Sequence, residues 1–156
     1  MSIHSVVRWT VGLFVGAMLI VVPGCSGDTG PVRVDVKGKA TFAGNPIPSG
    51  EITFIPDSSK GNSGPSTNAT IKNGEYSTVN AGKGIVGGPH KIHVIAFDGV
   101  AKPAEELPMG TPLFPEYVTN ADLPKAAAGS EPVVHDIAVP AEAVDGVSQQ
   151  VESDGV

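Results

Sequence analysis

One cysteine in 156 residues cannot form an internal disulfide, so any core this chain builds must hold by packing and hydrogen bonding. Aromatic residues make up only 5% of the chain, and its single tryptophan, Trp9, lies close to the start. Arginine occurs only at Arg8 and Arg33 and the lysines are scattered, which argues against binding to a phosphate backbone and so against a nucleic-acid partner. The longest apolar run, Val11 to Val22, has twelve residues, whereas a helix crossing a bilayer needs about 20. After that run no segment keeps the i, i+3, i+4 apolar spacing for three turns, which excludes a helical bundle. What the chain has in quantity is punctuation, 20 Gly and 14 Pro, and short strands joined by turns are the architecture that suits it.

The apolar run has the layout of an export signal, with Arg8 before it and the small pair Pro23-Gly24 after it. Cys25 follows at once. The stretch Val22-Pro23-Gly24-Cys25 resembles the bacterial lipobox, in which an aliphatic residue, a small residue and a cysteine mark diacylglyceryl transfer and cleavage. The resemblance implies that residues 1–24 are a lipoprotein signal peptide and that Cys25 is the lipidation site, carrying palmitate-type acyl chains. Each buried methylene adds about 0.8 kcal/mol of membrane retention, so several chains together hold a protein on a leaflet. Acylation would also remove a lone thiol from an oxidising compartment. Ser26 after the cysteine is similar to the pattern of lipoproteins passed onward, so the expected location is the bacterial cell envelope, on the outer membrane. Cleavage leaves 132 residues, enough for one domain. With Arg8 gone, nine basic residues face sixteen acidic ones, a formal charge of −7.

Residues 25–31, CSGDTGP, read as a flexible tether, residues 32–140 as the domain and residues 141–156 as an acidic, disordered tail. Alternation opens the domain: Val32, Val34, Val36, Ala40 and Phe42 share one parity and Arg33, Asp35, Lys37, Lys39 and Thr41 the other, the period of two expected of a half-buried strand. A second strand is expected from Gly50 to Ile55, a third from Ser66 to Ile71 and a fourth from Glu75 to Val79. Asn73-Gly74 between the last two signals a tight hairpin, because both central residues of a type I′ turn need positive φ. Pro89 to Phe97 reads as a central strand with Ile92, Val94 and Ala96 on one face. Residues 98–131 are proline-rich and lack sustained periodicity, a lid or binding loop. Val133, Ile137 and Val139 mark a last strand. Six to seven such strands predict an all-β protein, a β-sandwich with two facing sheets.

The segments VDVKGKATFAGNPIPSGEITFIP, Asn73-Gly74-Glu75-Tyr76, GGPHKIHV and PLFPEYVT resemble the small lipoproteins of planctomycete-type bacteria that carry a transthyretin-like, carboxypeptidase regulatory-like domain. The resemblance covers roughly residues 32–140. It implies a prealbumin-type (Ig-like) sandwich and specifies fold more than chemistry, since the matching motifs are structural.

Candidate chemistry is sparse. His90 and His93 differ in parity and point to opposite faces of one strand; His90 and His135 share inward parities and could meet, yet a third ligand would have to come from a loop carboxylate, so no metal or other cofactor is expected. Transthyretin-like folds include hydroxyisourate hydrolases, whose set of His, Arg and C-terminal Tyr-Arg-Gly-Ser is missing, and no Gly-x-Ser-x-Gly elbow occurs. An isopeptide bond from Lys37 or Lys39 to Asp136 is remote, both lysines reading outward. No catalytic residue is therefore assigned, and the expected role is a non-enzymatic binding or structural module, held on the membrane by its lipid and facing an envelope protein or glycan. The alternatives are a small-ligand or glycan-binding lipoprotein that uses the Pro112 to Tyr117 segment, with Phe114 and Tyr117 as a stacking surface, and a hydrolase with an unrecognised site.

Overall fold

A computed structural model describes residues 30–146 apart from 80, 82, 83, 126 and 128. The signal segment 1–24, Cys25, most of the tether and the tail beyond 146 lie outside the described residues. The fold is all-β. Strands β1 (Val36–Phe42), β2 (Asn45–Pro46), β3 (Ser49–Pro56), β4 (Thr67–Lys72), β5 (Glu75–Ser77), β6 (Gly88–Phe97), β7 (Tyr117–Leu123), β8 (Val133–Val134) and β9 (Ile137–Val139) join in one curled sheet. Its order is β2-β1-β5-β4-β3-β6-β7, antiparallel throughout, while β8 and β9 lie parallel against β1.

Alternation does the folding. Val36 and Ala40 on β1, Ile52 and Phe54 on β3, Ala69 and Ile71 on β4, and Ile92, Val94 and Ala96 on β6 keep a single parity within each strand and are all buried. Each fully buried Ile, Val or Phe contributes about 1.5–3 kcal/mol, which is what orients the strands. The Asn73-Gly74 hairpin forms as expected, with φ of 50° and 79° at its two central residues, and joins β4 to β5 in register Lys72 to Glu75.

Three expectations are corrected. The opening strand starts at Val36; Val32, at the inward parity, is exposed, and Val34 makes only a bridge to Ile85. Residues 98–131 are not all loop, because β7 arises there and pairs with β6 from Gly88–Leu123 to Val94–Tyr117. The domain also runs past Pro140: Ala141–Asp145 form a three-ten turn that buries Ala143 in the core, so the tail does not begin at 141.

The start of the former loop is shaped by Asp98. Its carboxylate accepts hydrogen bonds from the backbone N–H groups of Val100 (2.9 Å) and Thr111 (3.0 Å), which draw the two ends of the excursion together. These bonds hold its carboxyl below the ordinary value of 3.8.

Candidate functional site

The seam where the end of the chain meets its beginning is held by side-chain bonds as well as by backbone pairing. β8 and β9 keep one register along β1, Val133 opposite Val36 and Ile137 opposite Ala40. Between them the ladder is exchanged for side-chain bonds. The N–H of His135 donates to the Lys37 carbonyl (2.9 Å). The N–H of Lys39 then turns to the Asp136 carboxylate (2.7 Å), and the freed His135 carbonyl accepts the Tyr76 hydroxyl (2.5 Å). Gly38, opposite Tyr76, permits this: a Cβ there would overlap the His135 carbonyl oxygen. Burial, and secondarily the Asp136 charge, push the Tyr76 phenol well above its ordinary range, so it donates at every physiological pH.

Asp136 is thus brought to the backbone of Lys39 rather than to either lysine ammonium, which leaves the isopeptide idea without its geometry.

Beside the seam the outer face of β1, β5 and β4 forms a concavity of about 700 Å³. Lys37 and Lys39 on β1, Lys72 on β4 and Glu75 and Ser77 on β5 line it, with Val134 at its rim. Cross-strand register sets Glu75 between Lys39 and Lys72. None of the three ammonium groups forms an ion pair with a described residue there. The arrangement offers three extended cations and neighbouring hydroxyls to a solvent-borne group, without a nucleophile and base in contact. The sequence already showed Lys37 and Lys39 at outward parity, and what it lacked was the partner strands that gather them with Lys72.

The histidines separate. His90 is buried on β6 and its Nδ1 lies 2.8 Å from the Gly88 carbonyl; a carbonyl only accepts, so Nδ1 carries the proton and Nε2 is left as a buried acceptor without a partner. His93 lies on the opposite face, bonded to Glu116. His135 sits at the seam beside β1, and no hydrogen bond joins it to His90, so the shared site that their parities allowed does not form. Among the described residues no three His, Cys, Asp or Glu side chains converge as metal ligands.

Half-buried His135 is held below its ordinary value of 6.5 by desolvation, with Asp136 opposing. Its neutral form is therefore the one the fold favours. An imidazole whose folded pKa lies below its unfolded one binds fewer protons when folded, so its contribution is complete above the unfolded value and is lost as pH falls through 6.5 toward the folded value. Thermal midpoints measured from about pH 7.5 to about pH 5 are expected to fall for the wild type and to flatten in His135→Gln. The carboxyls of Asp57 and Asp98 are depressed below 3.8, mainly by the bonds of Ser59 and Val100, so their contributions disappear only at more acid pH and do not confuse the window.

The proposed stacking surface is corrected by the structure. Phe114 and Tyr117 are each only 5% exposed. Phe114 packs on Phe42 with ring centroids 5.0 Å apart, and Tyr117 enters β7 opposite Val94. Neither ring is presented to a ligand; the proline-flanked segment spends its aromatics on the core.

Compared with described protein families, with curated proteins and with solved structures, the chain matches none.

Proposed function

We propose that this chain is a lipid-anchored lipoprotein of the bacterial cell envelope, whose domain is a transthyretin-like β-sandwich acting as a non-enzymatic binding or structural module. The observation that carries the anchor is Cys25 placed directly after an apolar run and the small pair Pro23-Gly24. The closure of β8 and β9 onto β1 supports a self-contained domain beyond the tether, starting a few residues after Cys25. Among the described residues no helix is long and apolar enough to cross a membrane. The polar side chains that sequence reading singled out are largely engaged in structural bonds, Asp136 to the Lys39 backbone and His93 to Glu116. The concavity gathers three cations, Lys37, Lys39 and Lys72, around Glu75, and is suited to carboxylate-bearing or phosphate-bearing envelope material. Attachment on the outer membrane follows from Ser26 after the cysteine.

Fractionation of cells expressing the wild type and Cys25→Ala tests the anchor. The wild type is expected in membranes, labelled by a fatty-acid analogue, and the variant released and unlabelled; equal partition of the two would remove the proposal.

A further inference from the structure

We propose that β7 is a self-pairing edge, joining two copies of this chain through an antiparallel two-fold centred on Asn120. β7 ends the strand order, and its seven residues, Tyr-Val-Thr-Asn-Ala-Asp-Leu, form no backbone hydrogen bond with described residues other than those of β6. The usual protections of a free edge are few in it: it contains neither proline nor lysine, its register with β6 runs without a bulge, and Asp122 is its one charge.

Which backbone groups it offers can be worked out from its neighbours. The Pro89 carbonyl accepts from Asp57 on the β3 side, and the Ala96 carbonyl accepts from Leu113 on the β7 side. The N–H and C=O of one strand residue point to the same side, so even-numbered residues of β6 face β7 and odd-numbered ones face β3. His90, Ile92 and Val94 pair with Ala121, Thr119 and Tyr117, whose backbone groups are thereby used. Val118, Asn120 and Asp122 direct theirs outward.

A two-fold at Asn120 matches these three residues and no others. Asn120 meets its own copy, while Val118 and Asp122 meet each other twice, so every outward N–H of the strand finds an outward carbonyl. Centring the two-fold on Thr119 would oppose Asp122 to Glu116, like charge to like, and centring it on Ala121 would oppose Val118 to Pro124, which has no N–H to give. The Asn120 register opposes Asp122 to Val118 and so avoids like charges across the ladder. This self-complementary register, free of opposed like charges, favours a second copy over an unrelated extended peptide. Tethering on one membrane would raise the effective concentration of the two edges.

Sedimentation of the full-length chain in nonionic detergent tests this, with a dimer expected for the wild type. Asn120→Pro removes only an outward N–H, a change edge strands tolerate, and is expected to give a monomer with unchanged strand signal in circular dichroism. Asn120→Lys sets two cations on the two-fold and is expected to give the same result at low salt, which covers the case of a misfolded proline variant. In a Cys25→Ser background, Asn120→Cys is expected to form a disulfide-linked dimer on mild oxidation, because opposed residues of a hydrogen-bonded pair have Cα atoms about 5.5 Å apart, within the range a disulfide spans. Thr53→Cys, on the sheet interior, should not. A wild type that stays monomeric up to about 100 μM, far above the concentrations at which specific interfaces assemble, overturns the proposal. So does a dimer that survives both Asn120 substitutions, or equal cross-linking at Thr53.

Discussion

Gly38→Ala is expected to lower the stability of the domain by about 3 kcal/mol, the upper end of the cost of overpacking, and its thermal midpoint by roughly 10 °C for a domain of this size. Gly38 does not have the positive φ that makes glycine necessary at Asn73-Gly74 and other turns. It is required for space. A methyl group there would overlap the His135 carbonyl oxygen and come within 3.1 Å of the Asp136 carboxylate, and both belong to the segment joining β8 to β9. Backbone on both sides is fixed by the Lys37 and Lys39 bonds, so relief requires β8 and β9 to move off β1. Gly129→Ala is the control: φ is +76° with nothing within 4 Å of the added Cβ, so only conformational strain of about 1 kcal/mol is expected. Thermal unfolding followed by circular dichroism compares the two, and a Gly38→Ala midpoint within about 1 °C of wild type, a change well below 1 kcal/mol, would mean that the seam is not closely packed.

Two substitutions at Tyr76 are expected to differ severalfold. Tyr76→Phe keeps the ring and deletes the donor to the His135 carbonyl. His135 is only half-buried and water can replace the hydroxyl, so the loss belongs at the low end for a hydrogen bond, about 1 kcal/mol. Tyr76→Ala also removes the ring, which is buried and lies 6.0 Å from the Phe54 centroid, beneath Gly38 and beside Ile71. A buried aromatic truncated to alanine costs about 3–5 kcal/mol. Denaturant titrations of both variants check the ratio. Equal losses would make the hydroxyl, rather than the ring, the important part; no loss in either would place Tyr76 outside the core.

The difference between what could be read in the chain and what could not follows how much each residue is asked to bury. β1, β3, β4 and β6 have neighbours on both edges, their inward residues are buried, and the resulting alternation of Val, Ile and Phe with Lys, Thr and Glu is visible in one dimension. The Asn73-Gly74 turn is equally visible because its backbone geometry restricts residue type. β7 is an edge strand, and its inward positions between Tyr117 and Leu123 are Thr119 and Ala121, only partly buried. A site that excludes less water selects less strictly for apolar residues, and the period of two fades. The burial of Phe114 and Tyr117 is hidden from the sequence for a related reason: prolines around them mark an interrupted backbone but carry no information on where the rings go.

Of the concavity, the outward parity of Lys37 and Lys39 was legible and its assembly with Lys72 was not. Three strands distant in sequence set that grouping through register. The histidines show the same division. Opposite faces for His90 and His93 follow from parity, whereas the separation of His90 from His135 depends on which strands are neighbours.

By itself the sequence determined that this protein is built of strands, where its tightest hairpin lies and which side chains face inward along the central strands, because these are local consequences of backbone geometry and of water's exclusion from one face. Only the tertiary structure decided that the end of the chain returns to lie parallel on its first strand, that Gly38 must be bare for it to do so, and that β7 is left as the edge. Those depend on contacts between segments up to about a hundred residues apart, whose energies no local pattern records.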